Sequence, residues 1–122
     1  LVELCMMACR GELDKATIDF DPRPAVGVVM AAAKYPASYP KGDVISGLDT
    51  NKASDRKTFH AGTAEKDGAI VTAGGRVLCA TALGNNVTQA QQAAYELLQQ
   101  ISWQGVEYRT DIAYRAIERE QR

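Results

Sequence analysis

The segment Gly74-Gly75-Arg76 has the residue types that would hold an anionic ligand. Two adjacent glycines let a backbone approach a ligand closely and offer N–H groups, and an arginine side chain donates two parallel hydrogen bonds to a phosphate. The same three residues also suit a β-bulge or tight turn with a solvated arginine. We therefore predict a phosphate contact here, with the turn as the structural alternative.

The only histidine of the chain, His60, begins a second candidate segment, His60-Ala61-Gly62-Thr63. In an open cleft, Gly62 and Thr63 would supply hydrogen bonds beside the imidazole. No serine or cysteine is placed to act as a nucleophile with it, so a substrate contact is favoured over general-base chemistry. A packed or surface histidine on a strand is the structural alternative.

The three cysteines, Cys5, Cys9 and Cys79, form no CxxC pair and are odd in number. This pattern disfavours a disulfide framework and a structural zinc site. Cys5 and Cys9 lie four residues apart on one helical face. We predict that they are small buried side chains in a reducing cytosol.

Composition and charge exclude several function classes. The chain has 122 residues, which favours one domain, and a net charge of −1, which gives no basic field for nucleic acid or an anionic membrane. No apolar run approaches the roughly 20 residues that span a bilayer. The chain starts at Leu1 inside an apolar helical pattern that has no N-cap, so we expect it to be part of a longer protein.

Periodicity and turn residues predict an α+β domain, with an antiparallel sheet of about four strands backed by one long helix and a short C-terminal helix. The predicted helices are residues 1–10, 86–100 and 112–119. The predicted strands are residues 25–34, 57–63, 69–73 and 76–83, with a further short strand possible at 44–47. The last three long strands read as an antiparallel meander, with a hairpin turn at Asp67-Gly68.

The long helix has three candidate N-caps, Asn85, Asn86 and the weaker Thr88. Its predicted buried stripe is Val87, Ala90, Ala94, Leu97, Leu98 and Ile101.

The start of the last helix carries a group of charged residues. Asp111 is the predicted N-cap of this helix, with Arg115 one turn later as its partner. Arg109 lies beside them. We favour this structural role over a contact between domains.

Residues 35–43 hold two Tyr-Pro pairs and predict a loop, because each proline keeps the tyrosine before it extended. The loop is either a lid or docking segment, or a surface loop made rigid by its prolines. The following Lys41-Gly42-Asp43 lacks the glycine spacing and the Lys-Ser/Thr ending of a P-loop.

Four strings occur in a fixed order: VVMAAAKYP with KGD after it, FHAGT, GGRVL followed by TALG, and YR followed by DI and RAI. In this order and over nearly the whole chain, they resemble the C-terminal domain of the glycinamide ribonucleotide synthetase family of ATP-grasp ligases. The opening LVELC resembles the last helix of the ATP-grasp region. The resemblance implies that residues 1–20 end that region and residues 21–122 form the C-terminal domain.

The resemblance implies a reaction as well as a fold. Members of this family join 5-phosphoribosylamine to glycine in purine biosynthesis, with ATP phosphorylating the glycine carboxylate. ATP and Mg²⁺ or Mn²⁺ are held in the ATP-grasp core, so this piece alone is expected to bind no cofactor and to be inactive. The resemblance also implies a cytoplasmic location. Its expected partners are the N-terminal and ATP-grasp domains of the same chain and small-molecule substrates. Related enzymes use a basic residue at the position of Arg76 on the ribotide phosphate.

The sequence departs from the family pattern at positions where glycine is common. Ala33 and Lys34 stand before Tyr-Pro, Ala37 follows it, and Ala113 precedes the last helix. A glycine-dependent turn at the Tyr-Pro loop is therefore in doubt. A stand-alone binding or interaction module that reuses this fold is the second functional hypothesis, since no nucleotide-binding motif lies in the chain.

Overall fold

A computed structural model describes residues 1–122. The helices are α1 (Val2–Arg10), α2 (Val87–Gln99) and α3 (Tyr114–Glu120). The strands are β1 (Ala25–Ala31), β2 (Arg56–His60), β3 (Thr63–Lys66), β4 (Ala69–Thr72) and β5 (Arg76–Leu83). The mixture of helices and antiparallel strands confirms the predicted α+β class. None of the helices combines the length and the apolar character needed to cross a bilayer.

The strands form two sheets, a three-stranded sheet in the order β1-β5-β2 and the separate hairpin β3-β4. All pairs are antiparallel. The predicted meander is wrong, because β2 pairs with β5 and neither of these strands pairs with the hairpin β3-β4. The N–H groups of Ala61 and Gly62 both donate to the carbonyl of Val77 at 3.0 Å. This contact ends β2 at His60, so that Thr63 starts the hairpin instead of extending the strand.

The hydrophobic core lies between one face of the three-stranded sheet and α2. Successive side chains of a strand point to opposite faces, and on β1 Val26, Val28 and Met30 point inward and are buried. The helix contributes five buried residues, Ala90, Ala93, Ala94, Leu97 and Leu98. Five of the six predicted stripe residues are buried, with Val87 half-buried and Ala93 missed.

The start of α2 is capped from two directions. The side-chain oxygen of Asn86 accepts a hydrogen bond from the N–H of Gln89 at 2.8 Å, which confirms Asn86 among the three candidates. Both carboxylate oxygens of Glu120 accept from the N–H of Val87 at 3.0 Å. The last turn of α3 therefore satisfies an N–H that the helix itself leaves unpaired.

The predicted N-cap of the last helix is wrong. Ala113, with φ of 70°, holds the cap position of α3, and no side chain caps this helix. The Asp111 carboxylate instead binds the Arg109 guanidinium at 2.6 Å. Arg115 donates to the hydroxyl of Tyr114 at 2.9 Å instead of pairing with Asp111. The neighbouring arginine competes successfully for the carboxylate, and the helix starts two residues later than predicted.

The first helix ends as predicted but does not pack as predicted. Gly11, with φ of 70°, caps α1, and its N–H points to the carbonyls of the last turn. Cys5 and Cys9 are exposed, which contradicts their predicted burial. The reason is that α1 lies against the turn at residues 13–15 and shares an open groove with residues 17–20, and none of its residues is buried.

Candidate functional site

The two candidate glycine segments cross each other closely. The carbonyl of Gly62 accepts hydrogen bonds from the N–H groups of Ala73 and Gly74, at 2.8 and 3.0 Å. A Cβ on Gly62 would lie 2.6 Å from the carbonyl oxygen of Arg76 and 2.8 Å from the Cα of Gly74. The glycines therefore permit a backbone crossing, and the N–H of Gly74 is already engaged within the protein.

Gly75 lies beneath the aromatic rings of the Tyr-Pro loop. A Cβ on this residue would collide with the ring of Tyr35 and lie 3.0 Å from a ring carbon of Tyr39. The two rings meet edge to face with centroids 6.0 Å apart. This packing explains the absence of a side chain at Gly75. It also means that a ligand approaching this turn would meet Arg76 and the Tyr35 ring before the glycine backbone.

The loop that carries these rings is fixed at its end. The N–H of Gly42 donates to the carbonyl of Thr72 at 2.7 Å, and the N–H of Thr72 donates to Asp43 at 2.9 Å. The buried hydroxyl of Thr72 accepts from the N–H of Asp43 at 3.1 Å. The peptide bond between Tyr35 and Pro36 is cis. These contacts support a loop that is held against β4 and against Gly75.

Arg76 borders a cleft of about 390 Å³ on the side of the sheet away from α2. The cleft is lined by Val29, Ala31, Tyr35, Arg76, Glu107, Tyr108 and Arg109. Arg76 is exposed and its guanidinium makes no ion pair or hydrogen bond within the chain. An unpaired arginine in an aromatic-walled cleft suits a phosphate group, which accepts paired hydrogen bonds from a guanidinium.

The second arginine of the cleft is already neutralised. The Arg109 guanidinium holds the pKa of Asp111 below its ordinary value, chiefly through their side-chain hydrogen bonds, and the pKa of Arg109 is raised for the same reason. The hydroxyl of Tyr95 on α2 donates to the Arg109 carbonyl at 2.6 Å and accepts from the N–H of Ile112 at 3.2 Å. Gln91 also donates to the Ile112 carbonyl, at 2.7 Å.

These contacts fix one rim of the cleft on the main helix. Sequence reasoning missed Tyr95 and Gln91, because their partners, the backbone groups of Arg109 and Ile112, are distant along the chain. The one available signal was that Tyr95 is the single aromatic residue of this helix.

His60 lies in a different cleft. Its Nδ1 is 2.9 Å from the Thr63 hydroxyl. This second cleft, of about 590 Å³, is also lined by Lys57, Thr58 and residues of the 45–51 and 68–70 segments. His60 faces the side of the sheet that carries buried Thr58, whereas Arg76 shares its cleft with Val29 on the other side. The structure therefore brings His60 together with Thr63, and Gly62 with Gly74, but it separates His60 from Arg76.

Two of the departures from glycine fall at strained backbone positions. Lys34 and Ala113 have φ of 68° and 70°, in the left-handed region that favours glycine. Ala37 has no positive φ. The turn before Tyr35 therefore forms without glycine, and the N–H of Lys34 donates to the Glu107 carboxylate at 3.2 Å.

The carboxylates of the chain do not gather into a metal site. No group of three or more His, Cys, Asp or Glu side chains is placed to hold one metal ion. The residues present therefore do not fit a metal–nucleotide centre.

Comparison with known proteins assigns the domain to a family. A family model described as the phosphoribosylglycinamide synthetase C domain matches residues 25–115. The chain belongs to this family. The phosphoribosylamine–glycine ligase of Vibrio vulnificus strain CMCP6 is 60% identical over 121 residues, which is 99% of this chain and 28% of the relative. The ligase of Pseudomonas aeruginosa is 58% identical over 120 residues, which is 98% of this chain and again 28% of the relative.

The structure of a solved relative supports the assignment of this chain to the family. The crystal structure of phosphoribosylamine–glycine ligase from Thermotoga maritima superposes with a TM-score of 0.69 at 36% identity. The match covers 89% of this chain and 27% of the solved one. The chain thus spans 28% of the length of the curated relatives described above, and the predicted family resemblance is confirmed.

Proposed function

We propose that this chain works as the C-terminal part of a phosphoribosylamine–glycine ligase. The ligase would phosphorylate the carboxylate of glycine with ATP, releasing ADP. The amine of 5-phosphoribosylamine would then attack the acyl carbon and expel phosphate, giving glycinamide ribonucleotide. The observation that carries the proposal is the high identity to named ligases over almost every residue of the chain.

The proposal divides the chain near Pro24. The C-domain family match begins at residue 25, whereas the ligase relatives align with almost the whole chain. Residues 1–20 would then close the ATP-grasp region, and residues 21–122 would form the C-terminal domain. The exposed apolar stripe of α1 supports this division, because a helix whose apolar face is uncovered needs a partner outside the chain.

Within the domain, Arg76 is the proposed contact to the ribotide phosphate. Its support is the absence of any partner in the chain and its place in a cleft walled by Val29 and two tyrosine rings. Gly74 and Gly75 would shape this contact by allowing the backbone crossing and the aromatic packing. His60 would contact substrate from the separate second cleft, with the Thr63 hydroxyl beside its imidazole and Gly62 at the crossing with Gly74.

ATP and its Mg²⁺ or Mn²⁺ would be held by the N-terminal and ATP-grasp domains of the same ligase. This assignment rests on the scattered carboxylates of the chain, which do not suit a metal-bound triphosphate. The other partners would be small-molecule substrates in the cytoplasm, and neither nucleic acid nor a membrane is part of the proposal.

The activity is tested by measuring ADP formation in the intact ligase that carries this sequence. We expect ADP only when glycine and phosphoribosylamine are both present, and none from the 122-residue chain alone. Turnover by the 122-residue chain would contradict the assignment of ATP to other domains. An intact protein that binds these substrates without turning them over would favour the stand-alone binding module.

The substrate contact is tested with Arg76→Ala in the intact ligase. We expect the KM for phosphoribosylamine to rise by roughly 10- to 100-fold, because a charged hydrogen bond to the substrate is lost. Arg119→Ala is a matched control, since Arg119 is also exposed and without an ion pair. An unchanged KM combined with a lower melting temperature would make Arg76 a structural residue.

A further inference from the structure

An irregular stretch of backbone, residues 107–112, supplies one wall of the cleft that Arg76 borders, and we call it the rim segment. Its first residue is anchored by backbone pairing, because the N–H groups of Ala31 and Glu107 each donate to the other's carbonyl, at 2.8 and 2.9 Å. Ala31 follows a β-bulge, at which the register of β1 against β5 shifts. The rim segment therefore starts at the edge of the three-stranded sheet, beside the outer face, which is the face away from α2.

The next three residues, 108–110, depend on a side chain for their position. Their backbone groups make no hydrogen bond to any other backbone group. The one hydrogen bond to this backbone comes from α2, where the Tyr95 hydroxyl donates to the Arg109 carbonyl at 2.6 Å. The same hydroxyl accepts from the N–H of Ile112 at 3.2 Å. One hydroxyl group thus holds the middle and the end of the rim segment to the main helix.

Tyr95 is itself held in place by the core. It is half-buried and packs against the main hydrophobic cluster. Gln91, one turn earlier on α2, donates to the Ile112 carbonyl at 2.7 Å. Residues four apart on a helix share a face, so both side chains reach the rim segment from the same side. The rim segment is therefore tied to an element whose own position is fixed by burial.

We propose that Tyr95 is a positioning residue for the ribotide, which holds Tyr108 and Arg109 where they face the substrate. The inference rests on the proposed function, in which this cleft binds phosphoribosylamine. Asp111 occupies Nε and Nη2 of Arg109, at 2.9 and 2.6 Å, so Nη1 is left to donate to the ribotide. Tyr108 is 42% exposed and offers a ring and a hydroxyl to the sugar. Both contacts require the rim backbone to be in place.

Removal of the Tyr95 hydroxyl would free the Arg109 carbonyl and the Ile112 N–H together. The rim segment would then occupy several positions, of which only some fit the ribotide, and an apparent affinity falls with the fraction that is competent to bind. Tyr95 lies on α2, behind the rim segment, and does not line the cleft. A positioning role therefore predicts a change in the KM for phosphoribosylamine and an unchanged chemical step.

The test is Tyr95→Phe in the intact ligase, which removes one oxygen and keeps the ring. We expect the KM for phosphoribosylamine to rise by about three- to tenfold, the effect of one neutral hydrogen bond, with kcat and the KM values for glycine and ATP within about twofold. Tyr114→Phe is the matched control, because the Tyr114 hydroxyl also accepts a hydrogen bond, from Arg115, but lies outside this cleft. An unchanged KM for phosphoribosylamine would overturn the proposal. An equal rise in all three KM values would also overturn it, because it indicates a general loss of structure.

Hydrogen exchange in the intact ligase tests the cause of the effect. The peptide that spans residues 106–113 should exchange faster in Tyr95→Phe than in the unmodified ligase, and at the unmodified rate in Tyr114→Phe. A raised KM without faster exchange would mean that the hydroxyl does not act through the rim segment, and it would overturn the positioning role.

Failure of the proposed function gives a different result. An unmodified ligase that forms no ADP from glycine and phosphoribosylamine would reject the proposed function and this inference together. Normal turnover with an unchanged KM in Tyr95→Phe would reject the positioning role alone. A raised KM in Tyr95→Phe beside an unchanged KM in Arg76→Ala would support the rim segment as a ribotide contact and reject the phosphate contact at Arg76.

Discussion

The two faces of the three-stranded sheet are made from alternate residues of the same strands, yet they serve different ends. On β1, Val28 is fully buried against α2, whereas the next residue, Val29, is 43% exposed. The inner face is apolar and covered, and it accounts for the folding of the domain. The outer face is partly apolar, uncovered and continuous with an unpaired arginine.

This difference teaches where to look for function in the domain. The helix α2 covers the inner face, so the stability of the domain is enough to explain why the residues there are apolar. Val29 and Phe59 stay 43% and 53% exposed, so the chain that carries them leaves much of their apolar surface in water. Their neighbour Arg76, which has no carboxylate partner, is in the same position. The side of the sheet that the chain does not complete is the side that we propose for the substrate.

The largest effect expected from this comparison is on stability. Val28→Ala should lower the free energy of unfolding by about 2 kcal/mol, because it removes buried methyl groups and leaves a cavity. Val29→Ala, one residue away on the outer face, should cost well under half as much. Urea unfolding of the 122-residue chain measures both. Equal losses would mean that the outer face is covered within this chain.

The wall of the cleft that Arg76 borders depends on the packing of Tyr35 over Gly75. Gly75→Ala should cost about 1–3 kcal/mol, because its Cβ has no room beneath the ring. Tyr35→Ala removes the obstacle, so the double variant should lose less than the sum of the two single losses. Urea unfolding of all four proteins completes the cycle, and strictly additive losses would contradict the contact.

The turn that leads into Tyr35 offers a gain in stability. Lys34→Gly should raise the free energy of unfolding by about 0.5–1 kcal/mol, because it relieves a left-handed backbone at a non-glycine residue. Ala37→Gly is the matched control, since this second position of family glycine has no positive φ and should lose stability. A gain at Ala37 as large as that at Lys34 would show that backbone strain is not the cause.

The smallest effect concerns the Arg109–Asp111 ion pair at the rim of the cleft that Arg76 borders. Because Arg109 lowers the pKa of Asp111, this pair contributes stability above the ordinary pKa of aspartate, and the contribution is lost as the pH falls through the lowered value. An NMR titration should find the pKa of Asp111 below the ordinary value of an aspartate. In Arg109→Gln, the pKa of Asp111 should rise back to that ordinary value. A pKa that does not respond to Arg109→Gln would leave Arg109 as a second available cation in the cleft.

Local patterns were sufficient wherever the cause of a structure is local. Apolar spacing and Asn86 predicted α2, Gly11 predicted the end of α1, and Asp67-Gly68 predicted the hairpin turn. Errors occurred where two neighbours compete for one group. Asp111 caps no helix because Arg109 binds its carboxylate, and β2 stops at His60 because Val77 takes the next two N–H groups.

By itself the sequence determined the class of the fold, the main helix with its buried stripe, and the family, through motifs that are read along the chain. Only the tertiary structure decided which candidates meet, because contacts between distant residues depend on strand order and on a single bulge. It joined Gly62 to Gly74 and placed Gly75 beneath Tyr35. It also put His60 and Arg76 on opposite sides of the sheet. Alternate residues of a strand face opposite ways, and the bulge next to the Ala31–Arg76 pair shifts this alternation for Arg76.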